Sequence, residues 1–262
     1  MIYPKFIKQG DIICVPAPSD GAYCEEYVRR YKNAKSNLEK RGYKVELSEN
    51  IFHSKKGRSS DAISRAEEYH KSLEENLEIL SGNLIKQDSY DMFENERAER
   101  VTGLEGYNLT DKVYWKTINN EEVTMQGRII GGCIDIITEL AGTRFDGVKE
   151  FNEKYKDDGI IWYFDNCELS KESLMRTLWK FNELGYFKYT KGIIFGRNGQ
   201  EVSYNYDTME DAIKDSVLSK LNVPIIFDAD ISHKGPSMTI INGAIATINC
   251  KDGKGNITFE LK

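Results

Sequence analysis

Three uninterrupted apolar runs of strand length constrain this chain most: GIIWYFD at Gly159–Asp165, GIIFG at Gly192–Gly196 and IIF at Ile225–Phe227. They are far too short to cross a bilayer, and their lack of polar alternation reads as strands buried on both faces. Between the first two, Ser170 with Glu172 or Ser173 marks a helix start, and Leu174 to Leu184 reads as a helix stopped by Gly185. The third run delivers Asp228, Asp230 and His233 into a Gly235-Pro236 turn, from which Met238 to Ile241 reads as a departing strand. His233 thus stands at a strand end. An imidazole there, with a pKa near neutrality and a direction fixed by the scaffold, suits a general base; a hydrogen-bonded structural histidine is the plainer alternative.

The amino-terminal half repeats the strand and helix grammar. Lys8-Gln9-Gly10-Asp11 leads into an Ile12–Val15 strand that Pro16-Ala17-Pro18-Ser19 ends. Glu25 to Arg41 carries a helical period stopped by Gly42, Tyr43 to Leu47 is the next strand, and Ser60-Asp61 caps a helix from Ala62 to about Leu73. A strand, helix, strand order at this spacing predicts parallel pairing, with the loop after Val15 at the carboxyl edge where ligands bind. Residues 74–126 are polar, charge-rich and poor in strand signals. After them, Arg128 to Thr143 reads as a strand, a tight turn at Gly131-Gly132 and a short helix.

Several of these stretches resemble the S66 serine peptidases, the family of LD-carboxypeptidases and microcin C immunity proteins. KQGDIICVPAPSDG and Arg65-Ala66-Glu67-Glu68 resemble its opening, GRIIGGC the start of its carboxyl-terminal domain, and DADISHKGPSMTIINGA its histidine motif. The longest continuous likeness is WYFDNCELSKESLMRTLWKFNELGYFKYTKGIIFGR; in all, the resemblance covers about residues 4–73 and 127–261. It implies a two-domain α/β fold, a parallel-sheet Rossmann-like domain (1–105) followed by a second α/β domain with a substantial β component (106–262).

The resemblance also implies a Ser-Glu-His triad in which the histidine is His233 and the acid that orients it is Asp165, an aspartate where the family carries glutamate. The missing methylene shortens its reach by about 1.5 Å, against hydrogen bonds that operate near ~3 Å. Glu168 is a nearby substitute carboxylate, and capping of the following helix is the other role open to Asp165. The family's Gly-Gly-x-x-Ser nucleophile elbow has no counterpart; Ser81-Gly82 is a faint echo without paired glycines. Two strands alone make a poor parallel sheet. Either the sequence lacks an internal segment near residues 70–76, or the protein has lost it and leans on its second domain or on a second copy in a homodimer.

Other chemistries find less support. Asp228 and Asp230, placed on one face by strand alternation, form with the nearby His233 a divalent-metal candidate. Cys133, after two glycines at a helix start, is read either as an activated thiolate or as a small packed cysteine. Five scattered cysteines without CxxC spacing suggest neither a disulfide framework nor a zinc site. A net charge of −6 with interleaved basic and acidic residues lacks the stripe that tracks nucleic acid. The amino terminus lacks a signal-peptide pattern, so a cytoplasmic protein without membrane contact is expected. Tyr163, Trp179, Phe181, Tyr186 and Phe187 read as packing aromatics. No cofactor is implied. The expected ligand is a small peptide, such as a murein tetrapeptide releasing terminal D-alanine, or a peptidyl-nucleotide of the microcin C type. Without the elbow serine, no more than a residual rate is expected; the competing reading is an inactive relative that binds a peptide or protein partner.

Overall fold

The computed structural model describes residues 3, 5–74, 85–119, 121–199 and 203–262. These fall into two compact units, one of residues 3, 5–74 and 99–106, the other of residues 85–98 and 107–262. The fold is two-domain α/β. In the amino-terminal unit, β1 (Ile12–Val15), α1 (Glu25–Lys40), β2 (Lys44–Leu47) and α2 (Ala62–Glu74) follow in order. β1 and β2 pair in parallel, with Ile12 opposite Lys44 and Val15 opposite Leu47. Gly42, at a φ of 91° that suits glycine, closes α1 into β2. Asp61 caps α2 by accepting the Ile63 and Ser64 amides at 3.0 and 3.1 Å.

Burial in this unit is shallow. β1, expected to be buried, is half-buried along its length, and α1 has no buried residue. The cause is the sheet's size, since only two strands pair there among the described residues. Residues 75–84, which contain Ser81-Gly82 and the end of the stretch near residues 70–76 where a junction was expected, lie outside the described residues.

The other unit is built on β3 (Lys86–Asp88), β4 (Met92–Phe93), β5 (Asp111–Lys112), β6 (Lys116–Thr117), β7 (Val123–Cys133), α3 (Ile134–Leu140), α4 (Val148–Lys154), β8 (Ile160–Asp165), α5 (Lys171–Glu183), β9 (Thr190–Gly196), α6 (Met209–Lys214), β10 (Ile225–Ala229), β11 (Ile245–Lys251) and β12 (Lys254–Glu260). Its eight-stranded sheet has the order β3-β12-β11-β7-β8-β9-β10-β6. The centre, β7 through β10, is parallel, and the flanks pair antiparallel. The three apolar runs are thus neighbours in the sheet. Trp162, Phe164, Phe181, Tyr186 and Phe195, each at most 2% exposed, form the core beside them, with Trp162 stacked on Tyr186 at 5.5 Å.

Four local expectations are corrected. Residues 85–117 are not strand-poor: β3 and β6 edge the large sheet and β4 pairs with β5. Strands of two or three mostly polar residues are held by backbone pairing and are too short to show a period. Gly131 and Gly132 extend β7 instead of breaking it; a Cβ on Gly131 would overlap the Tyr163 carbonyl, so glycine permits close strand approach there. Met238 to Ile241 is irregular, because the Met238 amide closes back on the Asp230 carbonyl at 2.6 Å and the Gln87 side chain takes both polar backbone groups of Thr239. Trp179 is 57% exposed on α5, while Phe181, Tyr186 and Phe187 are buried as expected.

Candidate active site

Asp165 ends β8 directly opposite Cys133 of β7, at the carboxyl edge of the parallel strands. The chain leaving it is pinned by Asp135, whose carboxylate accepts the Cys167 and Glu168 amides at 3.0 and 2.9 Å. Asn166 donates to the Leu169 carbonyl and to Asn198. The cap of α5 is Ser170, which accepts the Ser173 amide, so Asp165 has no capping duty. Glu168 is exposed and bonds Asp135 through its backbone.

His233 follows β10 on a turn that contains a cis Gly235-Pro236 bond. β10 is irregular between Ile226 and Ala229, and Asp228 sits there at a φ of 56°. This bulge breaks the alternation that would have put Asp228 and Asp230 on one face. Asp228 instead pairs with Lys116 at 2.8 Å. Asp230, fully buried, takes Arg197, the Trp115 indole at 3.0 Å and the Tyr90 amide at 3.1 Å. The three groups of the metal candidate therefore diverge. Among the described residues no group of three or more His, Cys, Asp or Glu is arranged to hold a metal.

His233 turns to Asp165. Its Nδ1 lies 2.6 Å from Asp165 Oδ2, and its backbone N–H also reaches that carboxylate. The shorter aspartate thus spans the gap. The imidazole is about half exposed and the carboxylate mostly covered, 55% and 17% by side chain. Burial raises the Asp165 carboxyl above its ordinary value, while the neighbouring His233 pulls the other way. Its second oxygen, Oδ1, is buried without a hydrogen-bond partner among the described residues. With Nδ1 engaged, Nε2 is the nitrogen left to take or give a proton.

No described serine or cysteine of this unit hydrogen-bonds to His233. Cys133 donates to Asp135 at 3.3 Å, and burial together with that carboxylate pushes its thiol up to about 11. It is a packed cysteine, not a thiolate. On the β10 and β6 side of the histidine turn lies a cavity of about 630 Å³, whose lining includes Phe93, Tyr114, Lys116, Arg197, Asp228 and Lys234. Asp135, Arg197, Trp115 and Tyr90 were not legible as site residues. The last two lie in a stretch without periodic signal, and nothing about a lone arginine after a buried strand marks it.

Residues 126–248, which include Asp165 and His233, match the C-terminal domain of the LD-carboxypeptidases of peptidase family S66. This stretch thus carries the S66 carboxyl-terminal domain. Solved structures share the fold over the whole length. An MccF-like protein from Bacillus anthracis str. Ames is 19% identical with a TM-score of 0.76, covering 100% of both chains. The microcin C7 self-immunity protein MccF in its wild-type apo state is 14% identical with a TM-score of 0.74, over 100% of this chain and 99% of that one. An MccF-like protein from Streptococcus pneumoniae, in complex with AMP, is 13% identical with a TM-score of 0.67, over 97% and 99%. At these identities the likeness shows the fold alone. No curated protein matches the chain.

Proposed function

We propose that the chain acts on an amide bond of a small peptide or peptidyl-nucleotide, with His233 carrying the proton and Asp165 orienting it. The observation that carries this reading is the 2.6 Å contact between His233 Nδ1 and Asp165 Oδ2 at the carboxyl edge of a parallel sheet. Donation of Nδ1–H to the carboxylate fixes the tautomer and favours the imidazolium that forms when Nε2 removes a proton from the attacking group. Attack on the carbonyl gives a tetrahedral adduct, and as it collapses and its C–N bond breaks, the same nitrogen returns that proton to the leaving amine. Two ligand classes fit the reading: a murein LD-tetrapeptide and an aminoacyl sulfamoyl nucleoside, since solved MccF complexes contain aspartyl sulfamoyl adenosine and glutamyl sulfamoyl guanosine.

A second reading, binding without cleavage, is favoured by the missing Gly-Gly-x-x-Ser elbow and by the lack of a described serine or cysteine bonded to His233 within its unit. Calorimetric titration of the purified chain with each ligand, followed by mass spectrometry of the mixture, separates the two. Binding with product that appears only when His233 is intact supports hydrolysis. Binding with no product supports the second reading, and absence of binding to either class contradicts both.

A further inference from the structure

We infer that Arg197 is the positioning residue of the histidine turn: one buried guanidinium clamps both arms of the turn and so sets the reach of His233 to Asp165. This rests on the reading of that pair as the acid and histidine of the site. Arg197 immediately follows β9 and is 4% exposed. Its Nη1 pairs with Asp230 Oδ1 on the arm entering the turn. Its Nη2 donates to the Lys234 and Pro236 carbonyls at 2.7 and 2.9 Å on the arm leaving it. Its Cζ lies over the Phe93 ring, 4.5 Å from the ring centre.

His233 lies between those arms, and its only hydrogen-bond partner among the described residues of its unit is Asp165. The half-exposed imidazole therefore owes its position to its backbone. That backbone is fixed by Arg197, with support from the Glu94 amide on the Gly235 carbonyl at 2.8 Å and from Ser237 Oγ, which accepts the Ser232 amide at 3.1 Å. A buried ion pair gives little stability over an apolar replacement, whereas its geometry can specify one arrangement. Only arginine offers a rigid planar fork that serves three acceptors on two arms; a lysine ammonium keeps the charge without that span. The clamp also connects the turn to the 630 Å³ cavity, since Arg197 and Lys234 both line it.

The test uses Arg197→Lys and Asp230→Asn in the full chain, and reads the His233 site directly instead of turnover. Proton NMR follows the downfield imidazole N–H held against Asp165. Mass spectrometry follows carbethoxylation by diethyl pyrocarbonate at His233, with the exposed His53 of the amino-terminal unit as internal control. We expect both variants to fold by tryptophan fluorescence, to lose or broaden the downfield signal, and to modify His233 several-fold faster with His53 unchanged. A folded variant that keeps the signal and the modification rate would overturn the assignment. So would unfolding of both variants, since Arg197 would then serve folding and not position. A native chain that shows the downfield signal yet no turnover would count against the hydrolytic reading and leave Arg197 unaffected, so the two failures are distinguishable.

Discussion

The two units share one local grammar and differ in depth. In both, an apolar strand runs into a polar loop and a helix returns to the next parallel strand. In the carboxyl-terminal unit the central strands lie inside an eight-stranded sheet, and Ile160, Ile161, Phe164, Ile193 and Ile194 are wholly buried. In the amino-terminal unit β1 is half-buried and Leu47 of β2 is 39% exposed. Burial, not propensity, is what separates a scaffold able to hold a carboxylate 2.6 Å from an imidazole from a strand pair with little core.

The widest contrast should come from core truncation. Phe164→Ala, which removes a ring packed among Trp162, Phe181 and Phe195, should cost about 3–5 kcal/mol. Ile13→Ala in β1 should cost about 1 kcal/mol. Trp115, Trp162 and Trp179 all belong to the carboxyl-terminal unit, so fluorescence-monitored urea unfolding reports that unit, and circular dichroism adds the other. Equal costs would break the comparison.

Two pH experiments sharpen it. The buried Asp165 has a raised pKa, so its contribution is fully present below the unfolded value and is lost as pH rises through the folded one. Asp165→Asn should therefore gain on the native protein in unfolding free energy as pH rises through about 4 and beyond. A constant difference would contradict burial as the dominant cause. Glu172 shows the opposite sign at a half-buried position: Ser203 Oγ and the Tyr204 and Asn205 amides hold its carboxyl down to about 2. Glu172→Gln should lower the melting temperature modestly at neutral pH, and the two proteins should converge as pH falls toward about 2. The smallest effect concerns thiols. Cys133 and Cys250, both pushed up to about 11, should alkylate with iodoacetamide at least about ten-fold more slowly than the half-exposed Cys24 of the other unit, read by peptide mass spectrometry.

Much of this was legible where one residue type carries one physical demand. The runs at Gly159, Gly192 and Ile225 became adjacent strands because uninterrupted apolar residues need cover on both faces. Ser170 and Gly42 marked helix ends through capping and positive φ. Asp165 and His233 were found by resemblance, and the structure brings them together. Asp228 and Asp230 were misread because a bulge, which has no sequence period, rotates one carboxylate out and leaves the other buried on Arg197. The short polar strands β3 to β6 and the clamp of Tyr90, Trp115 and Arg197 on Asp230 depend on partners about 33 to 140 residues apart. Local periodicity carries no trace of such pairings.

The central claim is that His233, oriented by Asp165, moves the proton in amide cleavage. It is tested most directly by comparing product release from an aminoacyl sulfamoyl nucleoside or an LD-tetrapeptide by the native chain and by His233→Ala at matched, saturating ligand. The account predicts a rate lower by about 10²-fold in the variant with ligand binding retained; equal rates, or product from neither protein despite binding, would contradict it.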